Sequence, residues 1–322
     1  MVIKEVVRNK KRTTFLKNMH FHKNMKLKIF FFIILLLLPG AFAQTTSETV
    51  SVGIYLLNLG RFDIATGTFT ADFYLSLQCP TECSISDFEF SNGRAISVDT
   101  LLDTPEEKFY RVQASLNSPI DLKEFPFDRQ QLQIILEDKT KTTDLQIYIA
   151  KTEESGIDQS LSFAGWNIDG WTAEIREHYY PVYDETYSQY VYTIDISRLF
   201  LSSFLKTFLP VFFIIIVVLC TYIIDPDKVA QRITMVSSGL VAAVMFHVSI
   251  NNQIPPVGYL TFADKFMILT YLVLLISFII AIILLELLEK KKIHLAEKVH
   301  RATEYSMFVI VPLLYICLFL FF

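Results

Sequence analysis

Four apolar segments in the last part of the chain limit its fold more than any other feature. They cover residues 199–224, 229–252, 262–288 and 307–322, with polar connections between them. A helix of about 20 apolar residues matches the hydrocarbon thickness of a bilayer, and only helices or closed barrels satisfy backbone hydrogen bonds there. The mean hydropathy of +0.40 fits a membrane protein. Residues 199–322 are therefore predicted to form a four-helix transmembrane bundle.

The second apolar segment carries a stripe of graded polarity. Its members recur at alternating steps of four and three, which places them on one helical face: Thr234, Ser238, Val241, Met245, Val248 and Asn252. This graded stripe is hydroxylated at one end, apolar in the middle and amide-bearing at the other. Polar groups in a membrane normally face protein or water, so the stripe predicts a helix that lines a water-filled pore. The alternative is a heptad packing seam, which Thr and Ser suit less well.

The N-terminal residues 1–43 have the pattern of a secretory signal peptide. A basic stretch precedes the short apolar run Ile29–Leu38 and the small-residue segment Pro39–Ala43. We expect the mature chain to begin near Gln44 and residues 44–198 to be exported. A start at Met25 would give a signal of more ordinary length, so the start codon stays open.

Between residues 50 and 195 the chain reads as short strands and turns. The clearest strand is Phe69–Cys79, where apolar and polar residues alternate. Similar patterns occur at Val50–Leu59, Lys108–Leu116, Leu132–Glu137, Asp144–Ala150 and Tyr190–Ile196. Without convincing amphipathic helices, this pattern favours an all-β immunoglobulin-like sandwich.

The four cysteines occupy two environments. Cys79 and Cys83 enclose Pro80 in the exported region, where a turn brings them within disulfide range and oxidising conditions preserve the bond. A metal site is disfavoured because no histidine lies nearby. Cys220 and Cys317 lie in apolar segments and are predicted to be small core residues.

Charge predicts the orientation in the membrane. The connection 289–301 carries Lys290, Lys291, Lys292, Lys298 and Arg301, which the positive-inside rule assigns to the cytoplasm. An exported N-terminal domain followed by four crossings gives the same placement. Both arguments put the C-terminus outside the cytoplasm.

The segment Phe125–Gln131, which reads FPFDRQQ, resembles the pentameric ligand-gated ion channels, the Cys-loop receptor superfamily, and most of all its prokaryotic members. The resemblance covers nearly the whole mature chain. Further matches are Gly53–Leu56, Gly165–Asp169, Ile196–Arg198, Pro210, Arg232 and Pro255–Tyr259. Each match is weak alone, and together their order and spacing are specific.

This resemblance implies a homopentamer in which a stimulus sensed by the sandwich opens a pore lined by the second transmembrane helix. It also implies a charge pair between Asp128 and Arg198 at the domain junction, with Asp63 as a third candidate. The implied coupling residues are Asp63, Phe125, Pro126, Asp128, Arg198, Pro255 and Tyr259.

Two departures from the family pattern stand out. Ser118 and Leu132 occupy the positions of the two half-cystines that usually flank the FPFD loop, so that disulfide cannot form. The Trp-x-Pro element that helps build the agonist pocket in relatives is missing after Cys79.

The sequence offers several candidate residues for ion selectivity and for sensing the stimulus. At the inner mouth, Asp225 and Asp227 favour cations, although they read equally as solvated loop charges. Gln231 stands where cation-selective members of the resembled family often carry Glu. His247 lies one residue off the graded stripe and is a proton-sensor candidate. Five tyrosines in the region of the family's capping loop are candidates for binding a cationic amine: Tyr179, Tyr180, Tyr183, Tyr187 and Tyr190.

The sequence thus predicts a homo-oligomeric channel for inorganic ions, embedded in membrane lipid. A non-conducting receptor or scaffold that uses the sandwich as a binding module is the rival interpretation. No nucleophile–base set, metal-ligand spacing or phosphate loop is present in the sequence, which argues against an enzyme and against a cofactor. No basic patch suggests nucleic-acid binding.

Overall fold

The computed structural model describes residues 47–80, 83 and 87–321. The predicted signal peptide lies outside these residues. A β-sandwich comes first and is followed by four long apolar helices, so the predicted fold class is confirmed.

The sandwich contains two sheets. The strands are β1 (Glu48–Asp63), β2 (Thr68–Gln78), β3 (Phe88–Phe90), β4 (Gly93–Asp103), β5 (Glu107–Asn117), β6 (Arg129–Asp138), β7 (Gln146–Ala150), β8 (Gly156–Ile157), β9 (Trp166–Tyr180) and β10 (Glu185–Arg198). The first sheet has the order β4-β5-β2-β1-β7, with the short β8 also paired to β1, and the second sheet has the order β3-β6-β10-β9. β1 runs parallel to β7 and β8, and its pairing with β2 is antiparallel.

Alternating side chains fill the space between the sheets. In β2, Phe69, Phe73 and Leu75 point inward and are completely buried, as the period of two predicts. The sequence patterns did not predict β4 and β9. β4 is exposed along nearly its whole length, so it lacks the inward-facing alternation that reveals a half-buried strand. β9 alternates half-buried and exposed residues, and none of its side chains is fully buried. Trp166, Ile168 and Trp171 pack against the core from this strand.

The helices are α1 (Phe200–Cys220), α2 (Val229–Asn251), α3 (Phe262–Glu289) and α4 (Ile293–Leu320). Within the described part of the chain, four helices are long and apolar enough to cross a membrane. α3 begins with a capping box, in which Thr261 and Asp264 exchange side-chain and backbone hydrogen bonds.

The connection before α4 is shorter than the basic residues predict. α4 begins at Ile293, so most of the predicted linker 289–301 is helical and only Lys290–Lys292 connects α3 to α4. The first turns of α4 pack against the bundle through Ala296, which is buried with Val229 and Leu284. This apolar contact is enough to continue the helix into a charged stretch that hydropathy alone assigns to a loop.

Candidate functional site

The graded stripe lies on the face of α2 that is turned away from the other helices. All six of its residues are exposed in the single chain, and the apolar members are among the most exposed side chains of the bundle. Val241 is 63% exposed, Met245 67% and Val248 52%. The apolar members of this row could face lipid, but its hydroxyl and amide groups need protein or water.

The opposite face of α2 is buried in the bundle. Its residues also recur at helical spacing: Val229, Arg232, Val236, Gly239, Ala243 and Ile250. Gly239 allows close packing with α1, because an added Cβ would stand 3.1 Å from Cγ2 of Val218. α2 therefore has one face fixed by packing and one face, the graded stripe, left free.

The predicted inner-mouth residues are all solvent-exposed. Asp225 and Asp227 belong to the α1–α2 connection, and Gln231 lies in the first turn of α2. Lys228 Nζ lies 3.6 Å from Oδ2 of Asp225 and offsets part of its charge. Asp227 is thus the less neutralised of the two carboxylates.

Asp128 and Arg198 form an ion pair where the sandwich meets the bundle. Arg198 Nε donates to Asp128 Oδ1 at 2.5 Å, and the Asp128 side chain is only 1% exposed. Gln130 Nε2 donates to the other carboxylate oxygen at 2.8 Å. Charged hydrogen bonds of this kind are short and strong, so β6 and the end of β10 are firmly joined directly before α1.

Arg198 is also held between two aromatic rings. Its guanidinium carbon lies 4.6 Å from the ring centroid of Trp166 and 5.1 Å from that of Phe125. Both distances are within cation–π range. The arginine therefore links β9, the FPFD loop and the start of α1 at one point.

The FPFD loop, which comprises residues 118–128 between β5 and β6, reaches into the bundle and caps α3. Phe125 is buried in the apolar cluster of the bundle, and the Phe125–Pro126 peptide bond is cis. The carbonyls of Lys123 and Phe125 accept hydrogen bonds from the backbone N–H groups of Phe262 (2.8 Å) and Ala263 (3.0 Å). These donors have no partner within the helix. The loop thus holds the start of α3 directly.

The α2–α3 connection contacts the same loop. The hydroxyl of Tyr259 accepts a hydrogen bond from the backbone N–H of Leu122 at 2.9 Å, and Lys123 lies 5.7 Å from the Tyr259 ring centroid. Pro255 belongs to this connection and is half-buried. The loop therefore contacts the segment that directly follows α2.

Asp63 does not join the charge pair. Its carboxylate accepts a hydrogen bond from the backbone N–H of Ala65 at 2.9 Å, within the turn between β1 and β2. The turn itself approaches the bundle through Ile64, which packs against the bundle cluster. Asp63 therefore stabilises the β1–β2 turn and is not a third member of the Asp128–Arg198 charge cluster.

His247 lies between α2 and α3. Its Nδ1 is 2.9 Å from the hydroxyl of Tyr271, and its Nε2 is 3.1 Å from Oδ1 of Asp264. Asp264 also belongs to the capping box of α3. A titratable ring is therefore attached to the first turn of the helix that the FPFD loop caps.

The predicted tyrosines surround the hairpin between β9 and β10. Tyr183 is 69% exposed and Tyr179 50% exposed at its tip. The hydroxyl of Tyr180 donates to the buried Glu137 at 2.8 Å. Burial, with the hydrogen bond to Glu137, raises the pKa of Tyr180 to about 12, so this hydroxyl stays a donor at physiological pH. The rings of Tyr180 and Tyr187 meet edge to face at 5.6 Å.

Tyr190 does not belong with this group. It is completely buried in the sandwich core, and its hydroxyl lies 3.2 Å from Oγ of Ser155. The prediction that included it was wrong because tyrosine suits both core and surface. Directly after β2, Cys79 and Cys83 form a disulfide with a Cα–Cα distance of 6.2 Å.

The prediction that Cys220 and Cys317 are core residues was wrong. Both are exposed on the helices, because an apolar membrane segment also carries small residues on its outer face.

Several contact residues carried no assigned role in the sequence. Gln130 supports Asp128, Trp166 covers Arg198, and Asp264 with Tyr271 holds His247. Gln130 and Trp166 lie inside the motifs of the resemblance, which could have drawn attention to them. Asp264 could have been found through the capping pattern Thr-x-x-Asp at the start of α3.

No family model matches the chain. The chain is 25% identical over 250 residues to a proton-gated ion channel of Gloeobacter violaceus, which covers 70% of this chain and 69% of that protein. It is 21% identical over 207 residues to ligand-gated ion channel 50 of Caenorhabditis elegans, covering 62% of this chain and 41% of the nematode protein. The chain is therefore a multi-pass membrane protein that is similar to a proton-gated and to a ligand-gated ion channel.

Proposed function

We propose that the chain is the subunit of a homopentameric ligand-gated ion channel. The observation that carries this proposal is the graded stripe, because its hydroxyl and amide groups are exposed on a membrane helix and are costly against lipid, so this face needs either water or a neighbouring copy. Five copies of α2 around an axis provide both. Val241, Met245 and Val248 would then form apolar rings, which block ions by dewetting when narrow.

The sandwich offers a second surface for a neighbouring copy. β4 is an edge strand and exposes Ile96 (62%) and Leu101 (54%). Exposed apolar groups on a sheet edge favour association. In the assembly we place residues 44–198 and the C-terminus outside the cytoplasm, with residues 199–322 as the transmembrane domain and the Lys290–Lys292 connection inside.

Signal transfer would follow the contacts of the FPFD loop. A rotation of the sandwich moves β6 and β10 together because Asp128 and Arg198 are joined. The loop then displaces Tyr259 and the first turn of α3, and with them the end of α2. Packed helices tend to switch between two discrete arrangements, so a small shift at this junction can be amplified into opening of the pore.

We infer that the pore conducts cations. Asp225 and Asp227 stand exposed before the first turn of α2, where five copies would place them around the inner mouth. Rings of acidic side chains favour cations. Gln231 adds amide groups without charge at the same level.

Liposomes that contain the purified protein test conduction and ion sign together. We expect stimulus-dependent sodium flux and a reversal potential close to that of sodium in a sodium chloride gradient. Asp227→Asn should reduce the cation preference several-fold, whereas Glu297→Gln on the exposed side of α4 should leave it unchanged. Absence of flux under every stimulus would favour the non-conducting scaffold.

Both similar proteins are named ion channels, which argues against an enzyme.

Protons are the first stimulus to test. When protonated, His247 donates from both ring nitrogens, so acid strengthens its bonds to Asp264 and Tyr271 and ties α2 to α3. We expect external acidification from about pH 7.5 to 5.5 to change the current. His247→Phe should remove this response, whereas His294→Gln should keep it. An unchanged pH response in His247→Phe would exclude this site.

A cationic amine is the second stimulus to test, at the tyrosines of the β9–β10 hairpin. Tyr183 presents its ring at the tip, and an ammonium group binds to the face of such rings. We expect Tyr183→Ala to raise the half-maximal amine concentration about tenfold, corresponding to about 1.4 kcal/mol. Tyr183→Phe keeps the ring and should keep most of the response. Equal loss in both variants would argue against binding through the ring face.

A further inference from the structure

The base of α2 contains a second interhelical contact with a titratable group, at the end of the bundle remote from the sandwich. Arg232 is 2% exposed and donates through Nη2 to the carbonyl of Ile224 in the α1–α2 connection. The same nitrogen lies 3.0 Å from Nδ1 of His300 on α4. One guanidinium group thus joins three parts of the bundle.

This contact fixes the protonation state of the histidine. A guanidinium group donates hydrogen bonds and cannot accept them, so Nδ1 of His300 must act as the acceptor. The proton of the neutral ring then sits on Nε2, which lies 3.9 Å from Oε2 of Glu304. Protonation of Nδ1 would remove the acceptor and place a second positive charge 3.0 Å from the buried arginine.

The other charged groups around the ring do not replace the lost bond. Glu304 and Arg301 belong to α4 itself, Asp225 faces the ring from the α1–α2 connection, and Arg232 faces it from α2. Asp225 is largely exposed and is already near Lys228. The hydroxyl of Tyr222 also lies in the neighbourhood of Arg232, and within the described residues Nε of Arg232 has no hydrogen-bond partner.

Arg232 follows the inner-mouth residue Gln231 and precedes Thr234 of the graded stripe by two positions. Its contacts with Ile224 and His300 therefore hold the first turn of α2, which in the proposed channel carries the inner end of the pore. The side chain of His300 is 13% exposed, so protons from the aqueous phase at this end reach the ring.

We propose that His300 is a proton-operated latch between α4 and the base of α2, which internal acid releases. In the neutral state His300 holds Arg232, and in the protonated state the two repel and the base of α2 is freed. The proposal rests on the proposed channel function and its orientation. It differs from the His247 site, which responds to external protons near the opposite end of α2.

Inside-out patches, with the external pH constant, test the latch through current. We expect a change of internal pH from about 7.5 to 5.0 to alter the open probability about threefold or more, with most of the change at the acid end because Arg232 opposes protonation of the ring. His300→Gln, whose carbonyl accepts from Arg232 at any pH, should lose this response. His294→Gln is the matched control, since His294 is an exposed histidine on the same helix, and it should respond like the wild type.

Thermal unfolding of the purified protein provides a readout that does not need conduction. Over the same pH range the melting temperature of the wild type and of His294→Gln should fall more than that of His300→Gln. Equal falls in all three proteins, or an unchanged internal pH response in His300→Gln, would overturn the latch. If the wild type carried no current but showed the expected melting difference, the channel function would fail and the latch would stand.

Discussion

Asp128→Asn is expected to abolish stimulus-gated current and to lower the yield of assembled protein. The substitution keeps the shape of the side chain but leaves Arg198 without its charged partner in a partly buried position. Removing one member of a buried ion pair typically costs about 3–5 kcal/mol. Surface biotinylation measures assembly, and whole-cell current normalised to surface protein measures gating.

A matched substitution and a charge exchange complete this test. Asp169→Asn removes an exposed carboxylate near the same end of the sandwich and should retain normal current. Joining Asp128→Arg with Arg198→Asp should recover part of the surface assembly that each single substitution loses. If Asp128→Asn gated normally, or if the exchange gave no recovery, the pair would not couple the sandwich to the bundle.

Val241→Ser is expected to produce a leak in the absence of stimulus. In the proposed pentamer it places five hydroxyl groups in the centre of the apolar part of the graded stripe, where they hold water and weaken dewetting. We expect the resting current to rise about tenfold, equivalent to about 1.4 kcal/mol. The measurement is the resting conductance per surface channel.

Val309→Ser is the control for the leak. Val309 is 58% exposed on α4, outside the graded stripe, so the same chemical change there should leave the resting conductance unchanged. A leak of equal size in both variants would indicate general destabilisation of the bundle. A silent Val241→Ser channel with normal gating would place the apolar barrier elsewhere.

The sequence revealed the features that follow from periodicity. The steps of four and three in α2 place the graded stripe on one face, and the alternation in β2 identifies a buried strand. The Asp128–Arg198 pair was expected through the resemblance, because a separation of 70 residues leaves no local signal.

Contacts made by backbone atoms or by distant polar side chains could not be predicted. The capping of α3 uses carbonyls of Lys123 and Phe125, and any residue type offers a carbonyl. His247 finds Asp264 and Tyr271 only when α2 and α3 are packed together. His300 lies in a charged stretch that the sequence predicts to be a loop. Its contact with Arg232 depends on the helix that begins at Ile293, so the contact could not be predicted.

Cysteine accessibility tests the pore most directly. In a background with Cys220→Ser and Cys317→Ser, single cysteines are placed at Ser238 and Val241 on the graded stripe and at Val236 and Ala243 on the packed face. Charged, membrane-impermeant thiol reagents should modify the first two in the presence of the stimulus and alter the current, and should leave the second two unmodified. If Ser238→Cys and Val241→Cys resisted the reagents in every state while the protein was folded, α2 would not line a water-filled pore.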